Sequence, residues 1–193
     1  AERSTLFLSD EKSGELFSRV AQGDSTIGEI RLPNHAGIAG TVFTSGKSVN
    51  IPHAYADLRF NPGFDKQTGF FTRSILCVPV ANKAGKVIGV TQVLNKRGGP
   101  FTAEDESRLK AFTAQVAIAL ENAQLFEDIQ QMKNYNVSML ESMSNGVVTI
   151  DDQGTIVTCN KAGVRIFKTR AADVIGKSTE EFFAGDNAWV LER

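Results

Sequence analysis

The stretch Asn95–Leu109, NKRGGPFTAEDESRL, fixes where one structural element ends and the next begins. Pro100 is excluded from a helix interior, and Thr102-x-x-Asp105 is a helix-capping pattern, so the spacing predicts a helix that begins at about Ala103. The first turn of this helix would hold three carboxylates close to the positive end of the helix dipole, those of Glu104, Asp105 and Glu106. The stretch therefore divides the chain into a domain before it and a long helix after it, although an ordinary capped helix start would look the same.

Composition limits the classes of partner. The chain has 193 residues and a formal net charge of −1, and 41% of its residues are hydrophobic. This balance is typical of a soluble globular protein and gives no electrostatic footprint for nucleic acid or an anionic membrane surface. Cys77 and Cys159 are far apart in apolar, strand-like runs, which favours buried free thiols in a reducing compartment. We expect a cytoplasmic protein with neither a nucleic-acid nor a membrane partner.

The residues before Pro100 alternate in the manner of an antiparallel sheet with turns. One short helix interrupts them, opening at Gly37 and stopping at Gly46. Val49–Phe71 is too long for a simple connection and is interpreted as an irregular lid. The predicted strands are Thr5–Leu8, Leu16–Val20, Ile27–Leu32, Ser74–Val80 and Val87–Val93, with hairpin turns at Asp10–Gly14 and Asn82–Gly85.

The short helix and the lid contain residue types that a pocket for an anionic ligand would use. Glycines at a helix start allow close approach, and the free amides there attract a phosphate group without a basic side chain. Asp65, Thr68 and Thr72 offer one carboxylate and two hydroxyls, and Gln92 shares a strand face with Leu94. The alternatives are glycines that only permit tight packing, and an Asp and two Thr that only cap turns.

The helix from residue 103 to about 143 carries two apolar stripes. The first predicts docking on the sheet and comprises Leu109, Phe112, Val116 and Leu120. The second predicts a parallel homodimeric coiled coil, with asparagine at two a positions, and comprises Ile118, Asn122, Leu125, Ile129, Met132, Asn136, Met139 and Met143. The alternative is a lone amphipathic helix packed on its own domain.

Beyond residue 143 the pattern changes to short elements. Val147–Asp151 and Thr155–Asn160 read as two strands joined by a turn at Asp152–Gly154, and Lys161–Lys168 and Ala171–Val174 read as helical. Some 50 residues make a poor independent core, so we expect a truncated domain within a fragment of a longer polypeptide.

Asn95, Lys96, Phe101, Asp105 and Glu106 match the N-K-(x)n-F-(x)3-D-E signature, and the chain thereby resembles cyclic-nucleotide-binding GAF domains. RLPNHAGIAGTVFTSGKSVNIPHAYADLRF and FDKQTGFFTRSILCVPV extend the resemblance, with His53 where the family usually has Asp. GVVTIDDQGTIVTCNKAG resembles the start of a PAS domain. The resemblance implies an α+β fold with a central antiparallel sheet flanked by helices, divided into a sheet and pocket at 1–102, a helix at 103–143 and a partial PAS domain at 144–193. It also implies a structural Lys96–Asp105 ion pair that does not touch ligand.

The resemblance further implies the site and the role of the chain. The expected ligand-binding residues are Arg19, Ala21, Gln22, Ile38, Ala39, Asp65, Thr68, Thr72 and Gln92. The expected ligand is cAMP, with cGMP second, and the arrangement looks like the sensory part of a cyanobacterial class III adenylate cyclase. The alternatives are the regulatory region of a cyclic-nucleotide phosphodiesterase or histidine kinase, and a vestigial pocket that serves only dimerisation.

Two other function classes are disfavoured by the residues themselves. A bilin or haem sensor needs a reactive cysteine beside a histidine, and neither His35 nor His53 has a thiol nearby. An enzyme needs a nucleophile with a base, a metal cluster or a phosphate-binding loop, and Gly37–Gly40 lacks the Lys-Ser/Thr of such a loop. We expect no catalysis and no metal in this fragment.

Overall fold

The computed structural model describes residues 1–18, 21–22, 29–184 and 188, with residues 21 and 22 described by their backbone alone. The chain divides into two compact units, Ala1–Gln124 and Leu125–Arg193. The predicted α+β fold is confirmed: an antiparallel sheet with helices builds the first unit, a long helix begins within it, and a small sheet-and-helix region follows.

The first unit is built on a seven-stranded sheet in the order β4-β2-β1-β7-β6-β5, with β3 also pairing with β1. Every pairing in it is antiparallel. Both predicted hairpin turns are present, and each has a glycine with positive φ, Gly14 and Gly85. The strands are β1 Arg3–Asp10, β2 Glu15–Ser18, β3 Ala21–Gln22, β4 Ile30–Pro33, β5 Val49–Ile51, β6 Ile75–Ala81 and β7 Val87–Leu94.

The strand predicted over Ile27–Leu32 is therefore observed as Ile30–Pro33. Ile27 and Gly28 lie outside the described residues, as does the end of the strand predicted to reach Val20.

The sheet buries both faces, and strand alternation decides which residue lies on which face. One face carries Phe7, Ile75, Cys77 and Val90 and packs against helix α1, Gly37–Ser45. The opposite face carries Leu76, Val78 and Val93 and packs against Phe101 and Leu109. The face that carries Leu76, Val78 and Val93 is therefore covered by the segment that leads into the next helix, whereas the opposite face meets α1.

Gly40 explains how closely α1 meets the chain before it. A Cβ added at this position would lie 2.4 Å from the carbonyl carbon of His35. No side chain fits at that distance, so glycine is required by contact here rather than by backbone dihedral angle.

The prediction that Val49–Phe71 is irregular was wrong. The stretch contains strand β5, a 3-10 turn at Ala54–Ala56 and helix α2 at Gly63–Thr68. These elements are short, and α2 is only six residues long, so their periodicity was too brief to see in the sequence. The segment is a structured cover over one sheet face.

Helix α3 spans Ala103–Ser142, in agreement with the predicted start and end. Its start carries a reciprocal capping arrangement. The Thr102 amide donates to Asp105 Oδ2 at 2.7 Å, and the Asp105 amide donates to Thr102 Oγ1 at 3.3 Å. The capping pattern read from the sequence therefore forms.

One member of the predicted docking stripe was misplaced. Phe112 is 60% exposed, whereas Thr113 and Ala117 are buried. Leu109, Val116 and Leu120 are partly buried as expected. The docked face is centred about one residue away from the stripe, because small residues allow α3 to approach the sheet closely.

The second stripe on α3 is exposed in the single chain. Leu125, Ile129 and Met132 expose 59%, 64% and 66% of their surface. Ile118, Met139 and Met143 are also exposed. An apolar face of this length on one helix is the feature that a coiled-coil partner would cover.

The second unit contains a two-stranded antiparallel sheet followed by short helices. Its core consists of Ile156, Cys159, Val174 and Phe183. Helix α5 was not predicted, because at four residues it is shorter than any periodic signal. The elements are β8 Val148–Ile150, β9 Ile156–Cys159, α4 Lys161–Ile166, a 3-10 turn at Ala171–Asp173 and α5 Thr179–Phe182.

Candidate functional site

A cavity of about 390 Å³ lies on the α1 side of the sheet, under α2. This volume falls within the range of small-molecule sites in proteins. Its floor comes from β1 and β7, including Thr5, Phe7, Gln92 and Leu94. Its other walls come from β4, from the start of α1 and from the segment between Arg59 and Thr72.

Six of the nine residues predicted to bind ligand lie on the cavity wall, namely Ile38, Ala39, Asp65, Thr68, Thr72 and Gln92. Arg19 lies outside the described residues. The backbone of Ala21 and Gln22 forms β3, which pairs with Thr5 and Ser4 of β1. Since Thr5 is itself on the cavity wall, β3 runs along the edge of the site.

Asp65 is a buried carboxylate on the cavity wall. It is 8% exposed and accepts three hydrogen bonds. The Tyr55 hydroxyl donates to Oδ2 at 2.9 Å, the Thr72 amide donates to Oδ2 at 2.7 Å, and Thr72 Oγ1 donates to Oδ1 at 2.8 Å. All three donors are neutral, and a carboxylate has about four acceptor positions, so Oδ1 retains capacity for another donor.

Tyr55 holds its place through aromatic contacts as well as through Asp65. Its ring stacks on Phe71 and meets Phe60 edge-on, each with ring centroids 5.0 Å apart. Loss of solvation and the bond to the Asp65 carboxylate raise the pKa of Tyr55, so the hydroxyl stays a donor. Phe60 belongs to the cavity wall, and this cluster therefore fixes the cover as well as the carboxylate.

The other two predicted polar residues are less constrained. Thr68 Oγ1 donates to the Phe64 carbonyl at 2.8 Å, one turn earlier in α2. Gln92 is partly buried and stands opposite Thr5 on β1 and Cys77 on β6. Its amide can donate and accept, as the pocket chemistry inferred from the sequence requires.

The start of α1 has the geometry of an anion site. Gly37 has a φ of +66°, and the helix has neither a side-chain cap nor an acidic residue in its first turn. When one residue has a left-handed backbone conformation and the next ones are right-handed, their successive N–H groups converge. Such a group of converging amides binds anions. Ile38 and Ala39 follow Gly37 and line the cavity, so this end of α1 faces into it.

Sequence reasoning missed three arginines on the cavity wall, Arg3, Arg31 and Arg59. The Arg3 guanidinium lies 4.0 Å from the centre of the Phe70 ring. Arg31 pairs with Asp10 and Glu15 at 3.2 Å and also with Glu29. Period-two alternation with Thr5 and Phe7 was a signal that could have placed Arg3 on this wall.

Arg59 is likewise balanced by a carboxylate. Its guanidinium bonds to Asp57 at 2.6 Å and holds the pKa of Asp57 at about 2. Since Arg31 and Arg59 are both engaged by carboxylates, much of their charge is already compensated within the protein. The amides at the start of α1 have no such carboxylate partner, so we expect them to attract a phosphate more than Arg31 and Arg59 do.

The motif residues lie away from the cavity, at the end of β7 and the start of α3. Lys96 Nζ lies 2.5 Å from Asp105 Oδ2, and this pair holds the pKa of Asp105 at about 2. Phe101 is buried between sheet and helix, and Glu106 pairs with Lys110 at 2.6 Å. Asn95 is fully buried and bonds to the segment that returns from the cover.

The cysteine and histidine that the sequence singled out lie as follows. Cys77 is buried within β6, and burial raises the pKa of its thiol well above the ordinary value. His53 is exposed and precedes the 3-10 turn, and its side chain makes no capping hydrogen bond there. Among residues 1–18, 29–184 and 188, no three His, Cys, Asp or Glu side chains come together as a metal site, and no helix has the length and apolarity to span a membrane.

Comparison with known proteins identifies the family. The GAF domain profile matches residues 1–120, and the PAS fold profile matches residues 134–192. A probable 3',5'-cyclic phosphodiesterase of Caenorhabditis elegans is 37% identical over 164 residues, which are 79% of this chain and 22% of that protein. The chain thus spans about a fifth of the length of that curated relative.

Solved structures agree in fold. The GAF domain of an Acinetobacter phosphoenolpyruvate-protein phosphotransferase aligns with a TM-score of 0.56 and 25% identity, covering 66% of this chain and 75% of that one. The corresponding domain from Coxiella burnetii gives 0.60 and 20%, covering 66% and 76%. With its profile match over residues 1–120 and this shared fold, the chain belongs to the GAF domain family, and a PAS fold follows the GAF domain.

Proposed function

We propose that the cavity of the GAF domain binds a cyclic nucleotide, with cAMP as the first candidate and cGMP as its competitor. The observation that carries this proposal is that two unlike sets of binding groups line one cavity of about 390 Å³. One set is the uncapped amides of α1, and the other is the side chains of Asp65, Thr68, Thr72 and Gln92. A cyclic nucleotide has the matching ends, a singly charged phosphodiester and a base with hydrogen-bonding edges.

The phosphate is assigned to the amides of Gly37, Ile38 and Ala39. These amides are oriented by the left-handed Gly37 and the helix that follows it. A phosphodiester carries one negative charge, which suits the partial positive charge of a helix N-terminus. Arg31 and Arg59 add a positive rim, although their own carboxylates already compensate them.

The base and ribose are assigned to Asp65, Thr68, Thr72 and Gln92. Asp65 only accepts hydrogen bonds, whereas Gln92 and Thr68 can donate or accept. Asp65 can accept a hydrogen bond from the adenine amino group or from the guanine ring N–H. Asp65, Gln92 and Thr68 therefore suit either base. We place cAMP first because the motif and the order of domains resemble the sensory part of an adenylate cyclase.

The output is assigned to a longer parent protein. In this proposal α3 forms a parallel homodimer through the seam from Ile118 to Met143, and ligand binding alters the arrangement of α3 and the PAS region. A ligand changes this arrangement only if it binds one state better than the other. The parent is proposed to be a cytoplasmic class III adenylate cyclase whose catalytic domain is separate from this fragment.

A second output is favoured by one observation. The Caenorhabditis elegans relative, at 37% identity, is a probable cyclic phosphodiesterase. A phosphodiesterase parent would use the same cavity and helix, so the two proposals differ only in the catalytic domain.

Isothermal titration calorimetry with cAMP, cGMP and 5'-AMP tests the ligand. We expect one cyclic nucleotide to bind per chain, with cAMP tighter than cGMP, and 5'-AMP to bind at least about tenfold more weakly because its dianion and free 3' hydroxyl do not fit a diester site. At a hundredfold excess over Kd, cAMP should raise the apparent stability by about 2.7 kcal/mol. Equal binding of 5'-AMP, or no heat with either cyclic nucleotide, would contradict the proposal.

Sedimentation of the free chain tests the dimer. Ile129 and Phe112 are both exposed on α3, at 64% and 60%, but only Ile129 lies in the proposed seam. We expect Ile129→Lys to give a monomer and the matched control Phe112→Lys to leave the dimer intact. A wild-type monomer at tens of micromolar, or equal disruption by both variants, would argue against the seam.

A further inference from the structure

Asn95 combines a left-handed backbone with a fully buried side chain. Its φ is +54°, in a region that asparagine enters more readily than most residues other than glycine, and it is fully buried. Its Oδ1 accepts from the amides of Arg73 at 2.7 Å and Ser74 at 3.2 Å. Its Nδ2 donates to the Phe71 carbonyl at 2.8 Å and to Glu2 Oε2 at 2.9 Å. The side-chain amide thus uses both donors and both acceptor positions.

These bonds fix the short segment Phe71–Ser74 from one side. From the other side, Thr72 in the same segment donates through both its amide and its hydroxyl to Asp65. Asp65 lies on the cavity wall, so this segment lies directly between the cavity carboxylate and Asn95. A change in the position of Asp65 must therefore move, or loosen, the segment that Asn95 grips.

The next residue in the chain extends the contacts to α3. Lys96 follows Asn95 and pairs with Asp105 at 2.5 Å. The same Asp105 oxygen accepts from the amide of Thr102 at 2.7 Å and from Thr102 Oγ1 at 2.9 Å. The first turn of α3 is thus bonded, through Lys96, to the residue that holds the cavity segment.

We propose that Asn95 is a positioning residue that transmits the state of the cavity to the first turn of α3. The contacts run from Asp65 to Thr72, through the segment Phe71–Ser74 to Asn95, and through Lys96 to Asp105. This inference rests on the proposed function only for the identity of the occupant. The connection itself is a property of the free protein and can be measured there.

Hydrogen exchange of the Asp105 and Glu106 amides, in the free protein, provides the measurement. These amides bond to Thr102 Oγ1 and to the Thr102 carbonyl, so their protection reports the integrity of the first turn. Thr72→Val removes one bond to Asp65 and should lower this protection by about fivefold or more. Thr72→Ser keeps the hydroxyl and should restore it.

Two further variants separate transmission from general destabilisation. Thr44→Val is a matched control, because Thr44 Oγ1 donates to the carbonyls of Gly40 and Thr41 within α1, and it should leave the protection unchanged. In a Lys96→Met background, which cuts the contacts after Asn95, Thr72→Val should change the protection by less than about twofold. If Thr72→Val does not fold, Tyr55→Phe perturbs the same carboxylate from its more exposed side and should act in the same direction.

The inference is overturned if Thr72→Val leaves the first turn of α3 unchanged, or lowers its protection equally with and without Lys96. A second arm adds saturating cAMP, which should raise the protection in the wild type and not in Lys96→Met. Failure of cAMP to bind would count against the proposed function alone, because the comparison in the free protein still decides the connection.

Discussion

Two aspartates in the first unit have nearly the same bonds and very different surroundings. Asp65 accepts from the amide and hydroxyl of Thr72 and from the Tyr55 hydroxyl. Asp105 accepts from the amide and hydroxyl of Thr102 and from Lys96. The third donor is the difference: a neutral phenol for the buried Asp65, and an ammonium for the more exposed Asp105.

This difference separates a binding role from a structural one. Asp105 has its charge compensated by Lys96 and accepts from the amide and hydroxyl of Thr102, which together lower its pKa to about 2. Asp65 lies on the cavity wall and accepts from the neutral Tyr55 and Thr72, and a buried carboxylate gains from a further donor. Both aspartates are carboxylates held by a threonine. In this account only Asp65 is available to a ligand.

Removal of Asp65 should have the largest effect. Asp65→Ala leaves the Thr72 amide and hydroxyl without their acceptor, at a cost of about 2–4 kcal/mol in free energy of unfolding. We expect cAMP affinity to fall by at least about a hundredfold, because the cover also loses its anchor. Urea denaturation and calorimetry measure the two effects.

Asp65→Asn is the matched control for shape. It retains one oxygen as an acceptor for Thr72, so its stability should fall less than that of Asp65→Ala, while affinity still falls because the charge is gone. Affinity unchanged in Asp65→Asn would show that the charge plays no part in binding.

Asp105→Ala should act mainly on the fold. It removes the ion pair and one half of the capping arrangement, so the melting temperature should drop clearly. Affinity for cAMP should fall by less than about tenfold, because Asp105 touches no cavity residue. A loss of affinity as large as that of Asp65→Ala, in protein that is still folded, would erase the distinction between the two aspartates.

The two threonines sharpen the comparison at smaller scale. Thr72 is buried and Thr102 is exposed. Thr102→Val should cost about 1 kcal/mol, as loss of a helix cap does, and leave affinity unchanged. Thr72→Val should cost about 1–2 kcal/mol and weaken cAMP binding several-fold. The reverse order of affinities, read by calorimetry, would contradict the assignment.

The pH dependence of stability should show the smallest effect. The pKa of Asp105 is lowered from 3.8 to about 2, so its stabilisation is complete above about pH 4 and is lost as the pH falls toward 2. Lys96→Met removes the main cause of the shift and should flatten the loss in that window. The control is Lys83→Met, because the Lys83 ammonium forms no ion pair among the described residues. In urea unfolding from pH 2 to 5, this variant should show the wild-type dependence of the free energy of unfolding on pH.

The parts of this unit that depend on residues close together in the sequence could be predicted. The capping arrangement at Thr102 and Asp105 is a four-residue pattern, and the strand faces follow from alternation, which put Gln92 beside Leu94 on the cavity floor. The predicted Lys96–Asp105 contact also forms, since both residues flank one short link.

The rest depends on contacts between distant residues. The cover was taken as irregular because α2 and the 3-10 turn are too short for periodicity, and Phe112 was misplaced because the docked face follows the small Thr113 and Ala117. No local signal shows that Tyr55 bonds to Asp65 or that Asn95 grips residues 71–74. Those contacts arise only when β7 and the end of the cover are brought together.

A crystal structure of the protein grown with cAMP tests the central claim most directly. The account predicts the nucleotide inside the cavity, with phosphate oxygens about 3 Å from the amides of Ile38 and Ala39 and the base toward Asp65 and Gln92. A nucleotide bound outside the cavity, or a phosphate held by Arg31 and Arg59 instead of the α1 amides, would contradict it.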